Sequence, residues 1–497
     1  MKTLLSLLCL FFIGFGSISE AQSTAGLSQV ELKKKLDDLL QSRCLDPKNT
    51  GIKIYSLDRN KTIYQYQSDR LLIPASNVKI LTSAAALSAL KPDYQFRTAL
   101  LHDGKLENGV LKGNLYLKGF GDPKLVQEEL WRTAIGIKNK GIRRIEGDLI
   151  ADDTFFDGKR YGNGWGKANR QRAYHAKLGA LSLNFNVVNV HVQPGSKVGG
   201  PPVVVIDPDT SYITVLNRAT TIQRTKKKRG INFKVNILHG KKGDKIRVTG
   251  NIPMNFEPKR YFRAVSNPPL YTATVFKEYL MREGIPMSGA IRLSETPSDA
   301  SILYVHHSVP LSRVVADLNK FSNNFVAEQI LKTMGAERFG DPGTDVKGTN
   351  VVEEFLSRHG IEKKDYTLVD GSGLSPRNRL TASQIVTILS TMYGDIRFRP
   401  EFVSSFAIMG VDGSGKNRMG ESGTRGSVRV KTGTLSRASC LSGYLETLDG
   451  ELIAFSFLMN NPCSVIKVQH IQDQIILRVI QLSRDPQTKK VIESKQR

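Results

Sequence analysis

The sequence predicts a multidomain α/β protein in which one helix-and-sheet domain is interrupted by a long β-rich insertion. Three observations carry that expectation. Alternating strand patterns occur near both ends of the chain, and helical patterns fill much of its second half. From about Tyr94 to about Pro268 the texture changes to short alternating strands separated by Gly, Asn and Asp turns.

Lys2, the apolar run Leu4 to Gly16 and the stretch Ser19-Glu20-Ala21 have the form of a secretory signal over residues 1–21, which makes the chain an exported one. The run is too short, and too closely followed by polar sequence, for a good membrane span. Ile52-Lys53-Ile54-Tyr55 alternates as a half-buried strand, Asp58-Arg59-Asn60 turns, and Thr62 to Tyr66 alternates again, the pattern of an antiparallel hairpin. Apolar residues recur at helical spacing from Asn77 to Leu90, which predicts a buried helix opening at Ser76. In the β-rich stretch, Val110 to Lys118, Val187 to Val192, Val203 to Ile206, Ile213 to Leu216, Ile231 to Leu238 and Lys245 to Ile252 read as strands. Leu311 to Lys320, Phe325 to Met334 and Ala382 to Met392 read as helices. Ser427 to Thr432 and Leu441 to Leu445 read as strands. Asp449-Gly450 then turns the chain into Leu452 to Leu458, and Val465 to Leu482 closes the fold as a long helix. The two strand groups are expected to share one sheet. Their domain is therefore built from residues 22–93 and 269–497, with 94–268 inserted. Lys489 to Arg497 reads as a polar tail.

Lys and Arg number 71 against 46 Asp and Glu, a formal net charge of +25. In an exported protein that balance suits cell-wall polymer or a lipid surface sooner than nucleic acid. The densest cluster, Arg224 with Lys226, Lys227, Lys228 and Arg229, is either a solvated loop or a contact with an anionic polymer. Cys9 lies in the apolar run, so Cys44, Cys440 and Cys463 are the mature thiols; an odd count leaves at least one free or paired between chains. His306-His307 is the only close histidine pair, no His-Glu-x-x-His helix exists, and nothing supports a Ser-His-Asp triad. No metal and no cofactor is expected.

The chemistry concentrates in three polar motifs in a fixed order: Ser76-Asn77-Val78-Lys79, Ser322-Asn323-Asn324 and Lys431-Thr432-Gly433. Ser76 at a helix start stands in a positive field, and free N–H groups there can hold an oxyanion. Lys79, three residues on, shares its face and reaches the Ser76 oxygen. As a base it needs a depressed pKa, which burial and a neighbouring cation such as Lys431 favour. Ser322 and Asn324 lie two apart between helices, where both side chains can enter one cleft. Lys431-Thr432-Gly433-Thr434 ends a strand whose glycine admits a ligand strand and whose lysine and hydroxyls can bind a carboxylate. Each motif alone is equally the mark of a helix cap or a solvated strand end.

Together these residues resemble the serine penicillin-recognising enzymes. With the long insertion, the chain resembles the class C low-molecular-weight penicillin-binding proteins, the D-alanyl-D-alanine carboxypeptidase/endopeptidase family. Gly119-Phe120-Gly121-Asp122-Pro123, Asp152-Asp153-Thr154 and Asp370-Gly371-Ser372-Gly373-Leu374-Ser375 add to the match, with Phe120 a departure where relatives often have glycine. The resemblance implies a β-lactamase/transpeptidase-like domain with a five-stranded antiparallel sheet, plus two small inserted domains. It implies Ser76 as nucleophile, Lys79 as base, and Ser322, Asn324 and Lys431 as catalytic partners. Thr432, Gly433 and Thr434 would bind substrate, the N–H groups of Ser76 and Thr434 forming the oxyanion hole. Asp153 would hold a diaminopimelate amine. The expected partners are peptidoglycan stem peptides and, as covalent inhibitors, β-lactams, in the periplasm or cell envelope. A penicillin-binding sensor or wall-binding protein with little turnover, and a β-lactamase, are the alternatives. The second lacks the Glu-bearing deacylation loop of class A enzymes.

Overall fold

The computed structural model describes residues 26–166, 171–223, 232–419 and 426–484. The expected signal, the basic cluster from Arg224 to Arg229 and the tail from Lys489 lie outside the described residues.

The hairpin of β1 (Thr50–Ser56) and β2 (Lys61–Tyr66) is completed by four strands from the far end of the chain: β3 (Ala407–Ile408), β4 (Val428–Leu435), β5 (Ala438–Glu446) and β6 (Leu452–Asn460). Their order is β3-β4-β5-β6-β1-β2, with every neighbour antiparallel. The two strand groups share one sheet, as expected, and the two-residue β3 is added at its edge. The seam between the chain ends is β6 on β1, where Phe457 faces Ile52 and Phe455 faces Ile54.

Ten helices are described: α1 (Gln29–Leu40), α2 (Val78–Leu90), α3 (Gln127–Asn139), α4 (Pro268–Arg282), α5 (Leu311–Phe321), α6 (Asn324–Phe339), α7 (Asp345–Ser357), α8 (Ala382–Gly394), α9 (Arg399–Ser404) and α10 (Val465–Ile480). α1 and α10 cover one face of the sheet, Leu32 and Leu36 joining Ile475, Val479 and Phe457 in one core. The other face carries a second core built from α2 and α5 to α8. Val78 to Leu87 of α2 are all buried, so this helix has no solvent face. Whatever polar side chain it carries must be satisfied from inside. No helix among the described residues is long and apolar enough to cross a membrane.

Between α2 and α5 the described residues form four smaller sheets. The largest runs in the order 291–293, 149–152, 115–119, 97–102, 301–307. Because Ser301–His307 pairs with Arg97–His102, this hydrogen-bonded unit extends to His307 and not to the expected boundary near 268. α4 belongs to it, burying Tyr271 and Phe276 with Leu100 and Leu117. The stretch also holds α3, a helix inside what reads as β-rich sequence. The run from Val110 to Lys118 divides at Gly113-Asn114, where the Asp103 carboxylate accepts from Asn114 N at 2.7 Å and Nδ2 at 2.8 Å.

The cysteine pairing, open in the sequence, is Cys44 with Cys463, and Cys440 is buried and free. The bridge ties the segment after α1 to the entrance of α10, closing a loop of sequence separation 419. Cys463→Ser is expected to lower unfolding free energy by about 2–4 kcal/mol. Denaturant titration under oxidising conditions measures this, and an unchanged midpoint would contradict it.

Candidate active site

Ser76 lies in a single 3-10 turn, Ala75–Asn77, that leads directly into α2. Ala75 has φ 47°, a left-handed conformation costing an alanine roughly 1–2 kcal/mol. Close packing imposes it. A Cβ on Gly373, itself at φ 76°, would fall 1.8 Å from the Ala75 carbonyl oxygen; one on Gly433 would fall 3.0 Å from Pro74 O and 3.1 Å from Ser76 N. Bare backbone at both positions lets the loop 370–373 and strand β4 clamp the turn. Asn77 fixes it from below, donating Nδ2 to Ser442 Oγ on β5 at 2.7 Å.

Lys79 is fully buried. Its Nζ lies 2.8 Å from Asn324 Oδ1, 2.5 Å from Ser372 O and 3.0 Å from Ser76 Oγ. The first two partners are carbonyl oxygens, which only accept. A neutral amine has two N–H bonds for them and one lone pair left for the Ser76 hydroxyl proton. Burial pushes the Lys79 pKa down to about 7, against the opposing pull of Asp370 and Glu328. That displacement is about 5 kcal/mol against the charged form. Desolvation outweighs both carboxylates, and the neutral base is accessible near pH 7.

Ser322 ends α5 in the left-handed conformation, φ 57° and ψ 39°, and its hydroxyl accepts from Lys431 Nζ at 2.7 Å. Asn323 takes the capping role, accepting from Val326 N at 3.2 Å. Its neighbours are thereby left for the cleft. Asn324 opens α6, accepting from Lys79 through Oδ1 and donating Nδ2 to Tyr174 O at 3.1 Å. Lys431 is also fully buried, and burial, with Lys79 as a second cause, holds its amine well below the ordinary lysine range. Ser76, Ser322, Asn324 and Thr432 are half-buried, so the hydroxyls and the amide floor a cleft with the two amines behind them.

β4 borders that cleft. Val428 O accepts from Met409 N on the β3 side, and the two-residue period turns the main-chain groups of Thr432 and Thr434 the same way. β3 pairs only with Arg429 and Val430. Among the described residues no strand pairs with that edge from Lys431 onward, which suits it to receive an extended peptide. Leu435, the last residue of β4, lines a groove of about 370 Å³ that also holds Arg379 and Arg437.

The structure thus gathers Ser76, Lys79, Ser322, Asn324, Lys431, Thr432, Gly433 and Thr434 in one place. None of them is among the hydrogen-bond partners of Asp153. Asp153 pairs with Arg160 and accepts from Leu181 N at 2.6 Å. Its neighbour Asp152 accepts from Thr154 N and Thr296 N, both carboxylates tying main chain together. Sequence reading missed Ser414, whose Oγ pairs with Thr432 Oγ1 at 2.8 Å, and the buried acids Glu328 and Asp370. Asp370 accepts from Gly373 N, Ser375 N and Trp165 Nε1, folding the Asp-Gly-Ser-Gly turn against Lys79. The signal for Glu328 was its place four residues after Asn324 on one helix.

Residues 32–482 match the model of the D-Ala-D-Ala carboxypeptidase 3 (S13) family. The chain is 32% identical over 481 residues to a D-alanyl-D-alanine carboxypeptidase of Actinomadura sp. (strain R39), covering 93% of this chain and 87% of that protein. It is 27% identical over 423 residues to the D-alanyl-D-alanine carboxypeptidase DacB of Haemophilus influenzae, covering 83% and 85%. The crystal structure of penicillin binding protein 4 from Haemophilus influenzae is similar with a TM-score of 0.77 and 25% identity, over 89% of this chain and 98% of that one. The same protein in complex with a β-lactam gives a TM-score of 0.72 at 24% identity, over 90% and 99%.

Gly373→Ala places a methyl group on the Ala75 carbonyl at a positive φ, and is expected to destabilise the fold by about 1–3 kcal/mol. Urea unfolding reads the change, and a variant as stable as wild type would contradict the clamp on the Ser76 turn.

Proposed function

The chain belongs to the D-Ala-D-Ala carboxypeptidase 3 (S13) family and is a serine hydrolase of D-alanyl-D-alanine peptides, and on that premise we propose that Ser76 is its nucleophile and Lys79 the base that activates it. The observation that carries the reading is the environment of Lys79 Nζ: two oxygens that only accept, and the Ser76 hydroxyl.

In the proposed reaction Ser76 Oγ attacks the carbonyl carbon of the penultimate D-alanine while its proton moves to Lys79 Nζ. The N–H groups of Ser76 and Thr434 hold the oxyanion. The C–N bond then breaks, and the proton passes from Lys79 through Ser322 to the leaving amine, releasing D-alanine. Water attacks the Ser76 ester with Lys79 again as base, freeing the shortened peptide. A crosslink in which the leaving amine belongs to diaminopimelate is cut by the same steps, the endopeptidase reaction. Asn324 orients Lys79 and the substrate's peptide carbonyl. Lys431 and the Thr432 hydroxyl receive the terminal carboxylate, and the open edge of β4 receives the peptide as an added strand. The two guanidinium groups in the groove past Leu435 suit a stem peptide with further carboxylates.

A β-lactam amide undergoes the same attack, but its leaving amine stays tethered, so the acyl-enzyme persists. The structure of penicillin binding protein 4 of Haemophilus influenzae complexed with a β-lactam supports the binding of such compounds. The Cys44–Cys463 disulfide supports export to an oxidising compartment of the cell envelope, and the net charge of +25 suits an anionic wall polymer there.

Intact-mass analysis after incubation with benzylpenicillin is expected to show one adduct on wild type and none on Ser76→Ala. A diaminopimelate-containing pentapeptide is expected to lose D-alanine with wild type only, by at least about 10³-fold over the variant. An adduct on Ser76→Ala would move the nucleophile elsewhere, and an adduct without D-alanine release would favour a sensor or a pure endopeptidase.

A further inference from the structure

The proposed reaction draws no group from the inserted part of the chain, yet that part holds both carbonyl groups to which Lys79 Nζ donates. The first, Ser372 O, belongs to the turn folded around Asp370. Asp370 is fully buried, and it accepts from Gly373 N at 2.9 Å, Ser375 N at 2.8 Å, Ser372 Oγ at 3.1 Å and Asn378 Nδ2 at 2.7 Å. All four donors come from its own stretch of chain. Trp165 Nε1, at 3.0 Å, is the one donor from elsewhere among the described residues. Glu328 and Thr82 hold the main chain of Gly371 and Ser372, whereas Trp165 holds the carboxylate around which that main chain is folded.

Bare backbone lets residues 162–165 lie against the turn. A Cβ on Gly162 would fall 2.4 Å from Trp165 Nε1, and one on Gly164, at φ 75°, would fall 2.4 Å from Ser375 Oγ. Arg377 Nη2 also donates to Asn163 Oδ1 at 3.3 Å. The second carbonyl is Asn324 Oδ1, on an amide whose Nδ2 donates to Tyr174 O at 3.1 Å. Because a carbonyl only accepts, Tyr174 O fixes this amide with Nδ2 toward the insertion and Oδ1 toward Lys79. The two supports are joined. The buried His175 ring lies edge-on to the buried Trp165 ring at 5.7 Å between centroids, and 4.7 Å from the Tyr174 ring.

We propose that Trp165 is a positioning residue for Lys79, acting through Asp370, and that the inserted part of the chain sets the rate of acyl transfer by bracing both acceptors of that amine. The proposal rests on the reading of Lys79 as the base. Lys79 serves both acylation and hydrolysis, so a misplaced amine slows the two steps together. KM depends on their ratio and on substrate affinity, and stays where it was.

Trp165→Phe keeps an aromatic ring beside His175 and removes the N–H. Its kcat for D-alanine release from a diaminopimelate-containing pentapeptide, per site titrated with benzylpenicillin, is expected to fall about 10- to 100-fold. Its KM is expected to stay within about twofold. Gly164→Ala, whose methyl group meets Ser375 Oγ, is expected to repeat that pattern. Trp131→Phe, which removes an exposed indole that donates to Glu283, is expected to change neither constant. A wild-type kcat per titrated site in Trp165→Phe, with or without a loss of titratable sites, would reduce Trp165 to packing and overturn the proposal. A loss carried in KM would make Trp165 part of substrate binding and overturn it equally. If Trp165→Phe does not fold, exchanging the Trp165 indole for benzothiophene, which keeps the ring outline and puts sulfur in place of N–H, decides by the same criterion. A wild type that takes no adduct and releases no D-alanine would instead sink the underlying reading of Ser76 and Lys79, and this inference with it.

Discussion

An ammonium group taken into a protein core loses hydration worth several kcal/mol, and Lys79 has been taken there on a helix with no wet side. α2 is buried from Val78 to Leu87 because it runs between the main sheet and the helices α5 to α8. That placement pushes the Lys79 pKa down to about 7, as the proposed base requires. It also dictates what must surround it: acceptors for two N–H bonds and a hydroxyl for the lone pair. Asn324, the 370–373 turn and Ser76 meet those needs from three separate segments of chain.

The rest of the fold can be understood as the frame that brings those segments together. The sheet joins the two ends of the chain along β1 and β6, and the disulfide fastens the same ends on the opposite face. α2 then has both faces of its first turn pressed, by β4 at Gly433 and by the turn at Gly373. The cost appears in the left-handed Ala75. The return is a serine oxygen within 3.0 Å of a buried amine and main-chain N–H groups beside a sheet edge that no described strand pairs beyond Val430. The inserted part of the chain touches this machinery where Trp165 donates to Asp370 and where the Tyr174 carbonyl receives Asn324.

Much of this was legible in the residues. The three motifs, their order, the buried helix behind Ser76 and the shared sheet all follow from side-chain type and periodicity. What the sequence did not disclose rests on long-range contact or on main chain. The acceptor at Ser372 is a carbonyl that any residue would present, 293 positions from Lys79. Cys44 meets Cys463 across a separation of 419. The unit containing the second sheet runs to His307 because a strand there pairs with Arg97–His102, which local texture cannot announce. Asp153 was a candidate for a diaminopimelate amine, and nothing in its neighbourhood of sequence shows that Arg160 folds back onto it.

The most direct test is the titration of the Lys79 amine itself, by NMR of protein carrying ε-carbon-labelled lysine, with Lys79→Arg to identify the resonance. One lysine signal is expected to titrate near 7 and to vanish in the variant. If the Lys79 signal titrates with the surface lysines, at about 10.4, the amine is an ordinary cation and Ser76 has no base beside it.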